Sequence, residues 1–345
     1  MKRHYCTYFN FGYLPRALVL VESMRQYTPE FILDVLCFDD ETFTFFENNP
    51  VEGVRIERLI DFEARNSDVV GTKAKRSKGE YFFTCTGAWI LDVLMRYPEI
   101  DILTYLDSDL CFFSSPEPSF ELMSDKDILI AEHNFPKTQR ERVKYGRFNV
   151  GWLSFRNNKI GLACLDRWRR QSVDWCFDRL ENGKFADQKY LDEWPRLYQD
   201  RLMTAHLGIN TGPWAMCKGG LTSDKAGNIF IEKYPLVVYH FQGIRLYSCR
   251  HFYVGCMFDF SPYKLLECLY YPYIRKLLKG MRQIDVEIGG HDRYVKEPFP
   301  VRMLMGYWLD NIWGSMLIWT CQRVILTVFG RKWVLSLLRR KQRLK

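Results

Sequence analysis

The stretch "ILTYLDSDLCFFSSPEP" occupies residues 102–118. Its first five residues, Ile102 to Leu106, are almost continuously apolar and run straight into two aspartates one residue apart. A short apolar run of this kind reads as a strand buried on both faces. In open α/β sheets, ligands bind outside the carboxyl ends of such strands. Asp107 and Asp109 fall at that end. At spacing i, i+2 in extended chain, both side chains project to the same side. Two carboxylates converging in a half-buried place repel each other unless a cation lies between them. A hard divalent ion, Mn²⁺ or Mg²⁺, takes oxygen ligands and can bridge to a diphosphate. The D-S-D therefore reads as a clamp for a metal–nucleotide complex. A second acidic cluster, "FDDE" (38–41), pairs neighbours whose side chains diverge, and reads as a solvated turn.

Outward from this strand, β-like runs alternate with helical ones. "HYCTYF" (4–9), "LDVLCF" (33–38), "VRIERL" (54–59), "DILIAE" (127–132), "VGWLSF" (150–155) and "LVVYHF" (236–241) read as strands. "PRALVLVESMRQY" (15–27) reads as a helix with proline in its first turn, "TGAWILDVLMRYP" (86–98) as a helix stopped by Pro98, and 160–180 as a long amphipathic helix. The alternation predicts an α/β fold, with a mostly parallel sheet and helices on both faces, over residues 1–300.

Charge divides the 345-residue chain in the same place. Net charge is +8, and eight basic residues lie from Arg323 onward with no acid among them. Without them, 41 basic residues face 41 acidic ones. A neutral body excludes a uniformly basic nucleic-acid binder, so no nucleic-acid partner is expected. Residues 301–345 are rich in Leu, Ile, Met and Trp, and then basic. They read as a basic amphipathic helical tail for an anionic membrane surface. Eleven scattered cysteines without C-x-x-C, and an N-terminus lacking an apolar signal core, point to free thiols and a cytoplasmic location, peripheral on the membrane.

A third ligand candidate lies far downstream. "VVYHFQGIR" (237–245) places His240 at the end of another apolar strand, and an imidazole beside two carboxylates tilts a site toward Mn²⁺. Gly243 would let backbone approach a phosphate, and Arg245 could pair with it. P-loop, dinucleotide-binding, zinc-protease and hydrolase-elbow motifs are all absent.

Four segments in order, "TYLDSDLCFFSSPEP", "RFNVGWLSFRNN", "GKFADQKYL" and "YHFQGIR", resemble the GT-A glycosyltransferases, family 8 and its bacterial relatives above all. The matching landmarks span residues 5 to about 245. The resemblance implies sugar transfer from a nucleotide-sugar donor, usually UDP-linked, to a glycan or lipid-linked acceptor, with retention of configuration. The setting it implies is bacterial cell-surface polysaccharide or lipopolysaccharide synthesis. It makes Asp107, Asp109 and His240 the metal ligands. Thr7 falls at the nucleobase, with Tyr8 and Tyr13 as stacking partners. Asn149 and Gly151 fall at the donor sugar, and Asp187 and Gln188 beside the reacting sugar as catalytic residues. Asp187 also fits as the N-cap of a helix. Two departures stand out: the family's Lys-Pro-Trp is missing after "HFQG", and "CTYFN" (6–10) replaces its acidic nucleobase segment. Glu132 and His133 are acceptor-side candidates at a strand end. Two other classes stay open, a metal-dependent nucleotidyltransferase and a catalytically silent membrane-surface binding protein.

Overall fold

A computed structural model describes residues 2–215, 220–246, 252–253 and 265–288. The amphipathic tail expected over 301–345 lies outside the described residues. The chain runs β1 (Arg3–Phe9), α1 (Leu14–Tyr27), β2 (Phe31–Cys37), α2 (Asp40–Asn48), β3 (Val54–Arg58), α3 (Lys78–Arg96), β4 (Ile102–Leu106) and β5 (Leu110–Phe112). It continues through β6 (Ile128–Glu132), β7 (Phe148–Arg156), α4 (Lys159–Asp174), β8 (Leu202–Thr204), β9 (Val238–His240) and α5 (Tyr271–Ile288), with shorter turns of helix and small strands between.

Seven strands form the central sheet in the order β3-β2-β1-β4-β7-β6-β8. The β3-β2-β1-β4 half is parallel, as expected of strands joined by helical crossovers. β7 then runs antiparallel to both β4 and β6, so the second half is mixed. Apolar cores cover both faces. One gathers Leu20, Phe112, Trp152, Tyr239 and Tyr270 beneath α1 and α5; the other gathers Trp89, Leu103, Phe155 and Trp168 beneath α3 and α4.

Helix boundaries follow local capping where the sequence supplies a cap. Ser77 and Glu80 form a reciprocal capping box, so α3 starts at Lys78, eight residues before the start read from periodicity. The "FDDE" cluster is not a solvated turn. Asp39 caps α2, accepting from the Thr42 amide at 3.0 Å and, with its other oxygen, from the Phe11 amide at 3.0 Å. α4 ends at Asp174, six residues early, because Trp175 turns extended. There the Arg76 guanidinium donates to the carbonyls of Ser172, Val173 and Cys176, satisfying acceptors that the helix would otherwise bond itself. No helix among the described residues is long and apolar enough to cross a membrane.

Two features of the sheet position the site. β9 pairs antiparallel with the short β5, Val238 opposite Phe112 and His240 opposite Leu110. In β7 the pairing with β6 jumps between Ile130 and Ala131, whose partners are Leu153 and Asn149. The intervening residues of β7, Val150 to Trp152, bulge out of that ladder and re-aim the Asn149–Gly151 segment toward β9.

Candidate active site

Asp107, Asp109 and His240 come together, with one ligand atom from each lying within 4.8 Å of the others. The carboxylates do not converge by strand pleat. β4 ends at Leu106, and Asp107–Asp109 form a turn closed by the Leu110 amide on the Asp107 carbonyl at 3.2 Å. The turn, rather than the i, i+2 alternation, aims both side chains at His240. His240 Nε2 lies 3.0 Å from Asp109 Oδ1 and 3.6 Å from Asp107 Oδ2. His240 and Asp109 are buried, while Asp107 faces the cleft with 31% of its side chain exposed. Burial raises the Asp107 pKa and the neighbouring Asp109 adds to the rise, though His240 opposes it. Burial also works against charge on Asp109, but the His240 imidazole outweighs it and holds that carboxyl below its ordinary value. His240 is raised: burial opposes its charge, and the two carboxylates prevail. Two hard oxygen donors and one imidazole in this geometry fit a divalent cation of the Mn²⁺ or Mg²⁺ type. Occupancy requires the imidazole proton to leave.

A chain of buried amides fixes the imidazole, and sequence reasoning missed half of it. Asn210 Nδ2 donates to Asn149 Oδ1 at 2.8 Å, and the Gly151 amide donates to the same oxygen at 2.8 Å. That commits Asn210 Oδ1 as the acceptor for His240 Nδ1 at 3.1 Å, so Nδ1 carries a proton and Nε2 points at the carboxylates. Asn149 Nδ2 in turn donates to His133 Nε2 at 3.1 Å, which leaves His133 Nδ1 to donate to the Arg147 carbonyl at 3.3 Å. His133 is neutral in this arrangement, and burial pushes its pKa down to about 4. Gly151 is required by close approach. A Cβ there would stand 2.7 Å from His240 Nδ1 and 2.8 Å from both the Asn149 and Asn210 side-chain oxygens. Asn210 adopts φ 56°, a left-handed conformation that Asn tolerates; "INTG" (209–212) was the available signal. Replacing Asn210 with alanine frees the imidazole from its acceptor. Mn²⁺ affinity is expected to fall by roughly 10–100-fold, the usual cost of an outer-shell partner. Titration calorimetry on the folded variant measures it, and an unaltered affinity would mean that Asn210 does not orient the ring.

Asp187 sits 5% exposed, just after Ala186, whose φ of 44° is unusual for a residue with a Cβ. It precedes a short helical stretch, Gln188–Glu193, but makes no side-chain cap there, so the capping reading does not hold. Its side chain instead accepts from Thr86 Oγ1 at 3.0 Å, and Tyr8 Oη lies 2.9 Å from the same hydroxyl. Trp168 Nε1 anchors the Asp187 carbonyl at 2.9 Å. Burial, with the Asp107 charge adding, pushes the Asp187 pKa up to about 7. Gln188 donates from Nε2 to the Tyr145 carbonyl at 2.9 Å.

A cavity of about 570 Å³ opens beside the acidic turn. Asp107, Asp109, His240 and Gln242 line one part, and Tyr8, Tyr13, Tyr105, Phe82 and Lys78 line the rest. Tyr8, Phe38, Phe82 and Tyr105 pack as a connected aromatic wall, with Tyr8 5.0 Å from Phe38 and 5.6 Å from Tyr105 between ring centroids. Thr7 is fully buried and is not among the lining residues; its carbonyl accepts from Trp89 Nε1. Gly243 turns the chain with φ 82°. Arg245 is exposed. Arg16, unremarked in the sequence, is buried in α1 and donates to the Ile244 carbonyl at 2.7 Å, which ties the 241–245 loop to the cleft.

No family model matches the chain. It is 28% identical over 298 residues to the uncharacterized protein YfnF of Bacillus subtilis (strain 168), covering 84% of this chain and 97% of YfnF. It is 24% identical over 285 residues to the uncharacterized protein YfnD of the same organism, covering 82% of this chain and 91% of YfnD. Among solved structures, the galactosyltransferase LgtC, crystallised with donor and acceptor sugar analogues, superimposes with a TM-score of 0.50 at 17% identity, covering 81% of this chain and 95% of LgtC. The chain has the GT-A fold. The acidic turn follows β4, and the cavity lies at the carboxyl ends of β1 and β4, the position at which open α/β sheets take ligands.

Proposed function

We propose that this chain is a metal-dependent glycosyltransferase. It moves a sugar from a nucleoside-diphosphate sugar, UDP-linked by the family resemblance, to a glycan or lipid-linked acceptor. The observation that carries this reading is the convergence of Asp107, Asp109 and His240 on one end of an aromatic-walled cavity in a GT-A fold. These three residues would hold Mn²⁺ or Mg²⁺, which when bound neutralises charge growing on the leaving diphosphate. Tyr8 and Tyr13 offer ring faces to the base or ribose. The Gly243 turn lets backbone come near the diphosphate, with Arg245 as its charge partner. Asn149 and Gly151 support the donor side through His240. Asp187 and Gln188 stand by the reacting sugar. There a carboxylate or an amide dipole stabilises the positive charge that develops at the anomeric carbon. Retention of configuration is part of the proposal. So are a bacterial cell-surface polysaccharide product and an anionic membrane surface as the place of work. The concentration of net positive charge beyond Arg323 supports the last of these.

A panel of nucleotide sugars tested with and without Mn²⁺ for protection against thermal unfolding examines this directly. A donor at 100 times its Kd should add about 2.7 kcal/mol. Turnover should release a nucleoside diphosphate; release of pyrophosphate would identify a nucleotidyltransferase. If no nucleotide sugar protects the protein, or if protection ignores the metal, the reading is wrong.

A further inference from the structure

The segment joining β6 to β7 carries charge that the metal and nucleotide sites do not use. Lys137–Tyr145, "KTQRERVKY", folds as a short irregular helix broken at Gln139 and ending at Gly146, φ 136°. Lys137, Arg140, Arg142 and Lys144 are all exposed. None of the four has a carboxylate partner among the described residues; Arg147, just beyond, is paired with Glu132 at 2.6 Å. Glu141 is the only acid within the segment. Within a body whose charges balance as a whole, these four cations within eight residues make this stretch of chain a local positive strip.

The strip is built onto the candidate catalytic segment. Gln188 Nε2 donates to the Tyr145 carbonyl at 2.9 Å, Lys189 Nζ donates to the Val143 carbonyl at 3.1 Å, and Asp192 accepts from the Arg147 amide at 2.7 Å. Gly146 packs against Gln188 closely enough that a Cβ would meet its Cγ at 3.3 Å. Two residues after Arg147 the chain reaches Asn149 in the amide chain behind His240. Whatever lies along the strip is therefore held next to Gln188.

We propose that this strip binds the acceptor, and that the acceptor is an anionic glycan, bearing carboxylates or phosphodiesters along its chain. The inference rests on the glycosyltransferase reading, because only there does a polymer at this place become a substrate. Arg and Lys meet carboxylate and phosphate oxygens through charge-assisted hydrogen bonds, and an extended array of them matches a repeating anion better than a single charge. A membrane is the poorer match. Val143 and Tyr145 are the segment's only exposed apolar side chains, whereas an interfacial helix needs a continuous apolar face.

The test uses the full chain and three fluorescent probes of similar length: oligogalacturonate, oligo(glycerol phosphate) and neutral dextran. One variant carries Lys137→Gln, Arg140→Gln, Arg142→Gln and Lys144→Gln. A control carries Arg339→Gln, Arg340→Gln, Lys341→Gln and Arg343→Gln in the tail. Anisotropy should show at least one anionic probe bound in a salt-sensitive way, dextran unbound, a tenfold or greater loss in the strip variant, and little loss in the tail variant. The two anionic probes tell carboxylate from phosphodiester recognition. The proposal is overturned if dextran binds as well as the anions, if neither anion binds, or if the tail variant carries the loss. It is equally overturned if the strip variant loses only its binding to phosphatidylglycerol vesicles. Mn²⁺-dependent binding of UDP, measured on the same proteins, should be unchanged in the strip variant. Its absence from the wild type would count against the glycosyltransferase reading while leaving the strip's binding as a separate result.

Discussion

Asp109→Asn is expected to abolish Mn²⁺-dependent binding of UDP while the fold survives. The side chain is 9% exposed, and its Oδ1 lies 3.0 Å from His240 Nε2. Asparagine keeps its volume but removes one of two anionic donors. It also removes the charge that, with Asp107, draws the cation in. The loss should exceed the roughly 10–100-fold typical of an outer-shell partner. Stability should change less. His240 holds Asp109 below its ordinary value, so the ionised form contributes stability that is present above the unfolded carboxylate range, near pH 4, and is lost as pH falls through the lowered value. Asparagine forfeits that contribution, and relief of repulsion on the raised Asp107 offsets part of it. Titration calorimetry with Mn²⁺ and UDP decides: an unchanged metal-dependent affinity in a folded variant would remove the basis for the clamp.

Asp187→Asn is expected to stabilise the metal-free protein above neutral pH and to cripple turnover. The Asp187 pKa is pushed up to about 7 by burial, aided by Asp107. An unfolded aspartate titrates near 3.9. Below about pH 4 both states hold the proton, and wild type and variant should be equally stable. From about pH 4 to about 7 the unfolded chain ionises while the folded one stays protonated, so wild-type stability falls with rising pH. Above about pH 7 the difference levels off at on the order of 4 kcal/mol, an upper bound because asparagine cannot accept at both oxygen positions. Urea unfolding in EDTA from pH 4 to 8 should show the curves diverging in that window; parallel curves would contradict the buried, proton-holding carboxyl. In donor turnover the same variant should lose roughly 10²–10⁴-fold in kcat if Asp187 moves a proton or meets developing charge. Near-normal kcat with the predicted gain in stability would make Asp187 a structural group alone.

Much of the architecture was legible because it depends on near neighbours. Apolar runs of strand length marked β1, β2, β4, β6 and β7 to within a few residues, since burial on both faces leaves little room for polar side chains. The largest misreadings of element boundaries came where capping or a distant group acted. The Ser77–Glu80 box lengthened α3, Asp39 started an unforeseen α2, and Arg76 closed α4 early across nearly a hundred residues of chain. The antiparallel placement of β7 was not visible either, because parallel and antiparallel neighbours can present the same apolar pattern.

Residue type and local order were enough for the α/β layering, the acidic pair at the end of β4, and His240 as a residue worth placing beside it. These survive without knowledge of what folds against them. Tertiary structure decided the rest. Only the pairing of β9 with β5 brings His240 to within 3.0 Å of Asp109, and only the turn after Leu106 aims both carboxylates at it. Only the β7 bulge and the left-handed Asn210 assemble the amide chain that sets the imidazole's tautomer. Only the docking of Gln188 and Lys189 onto the carbonyls of Tyr145 and Val143 lays a basic strip beside Gln188. Most of these contacts join residues 30 or more positions apart in the chain. Their contacts become favourable only once the sheet has closed the intervening loops, so a reading of local pattern had no means of foreseeing them.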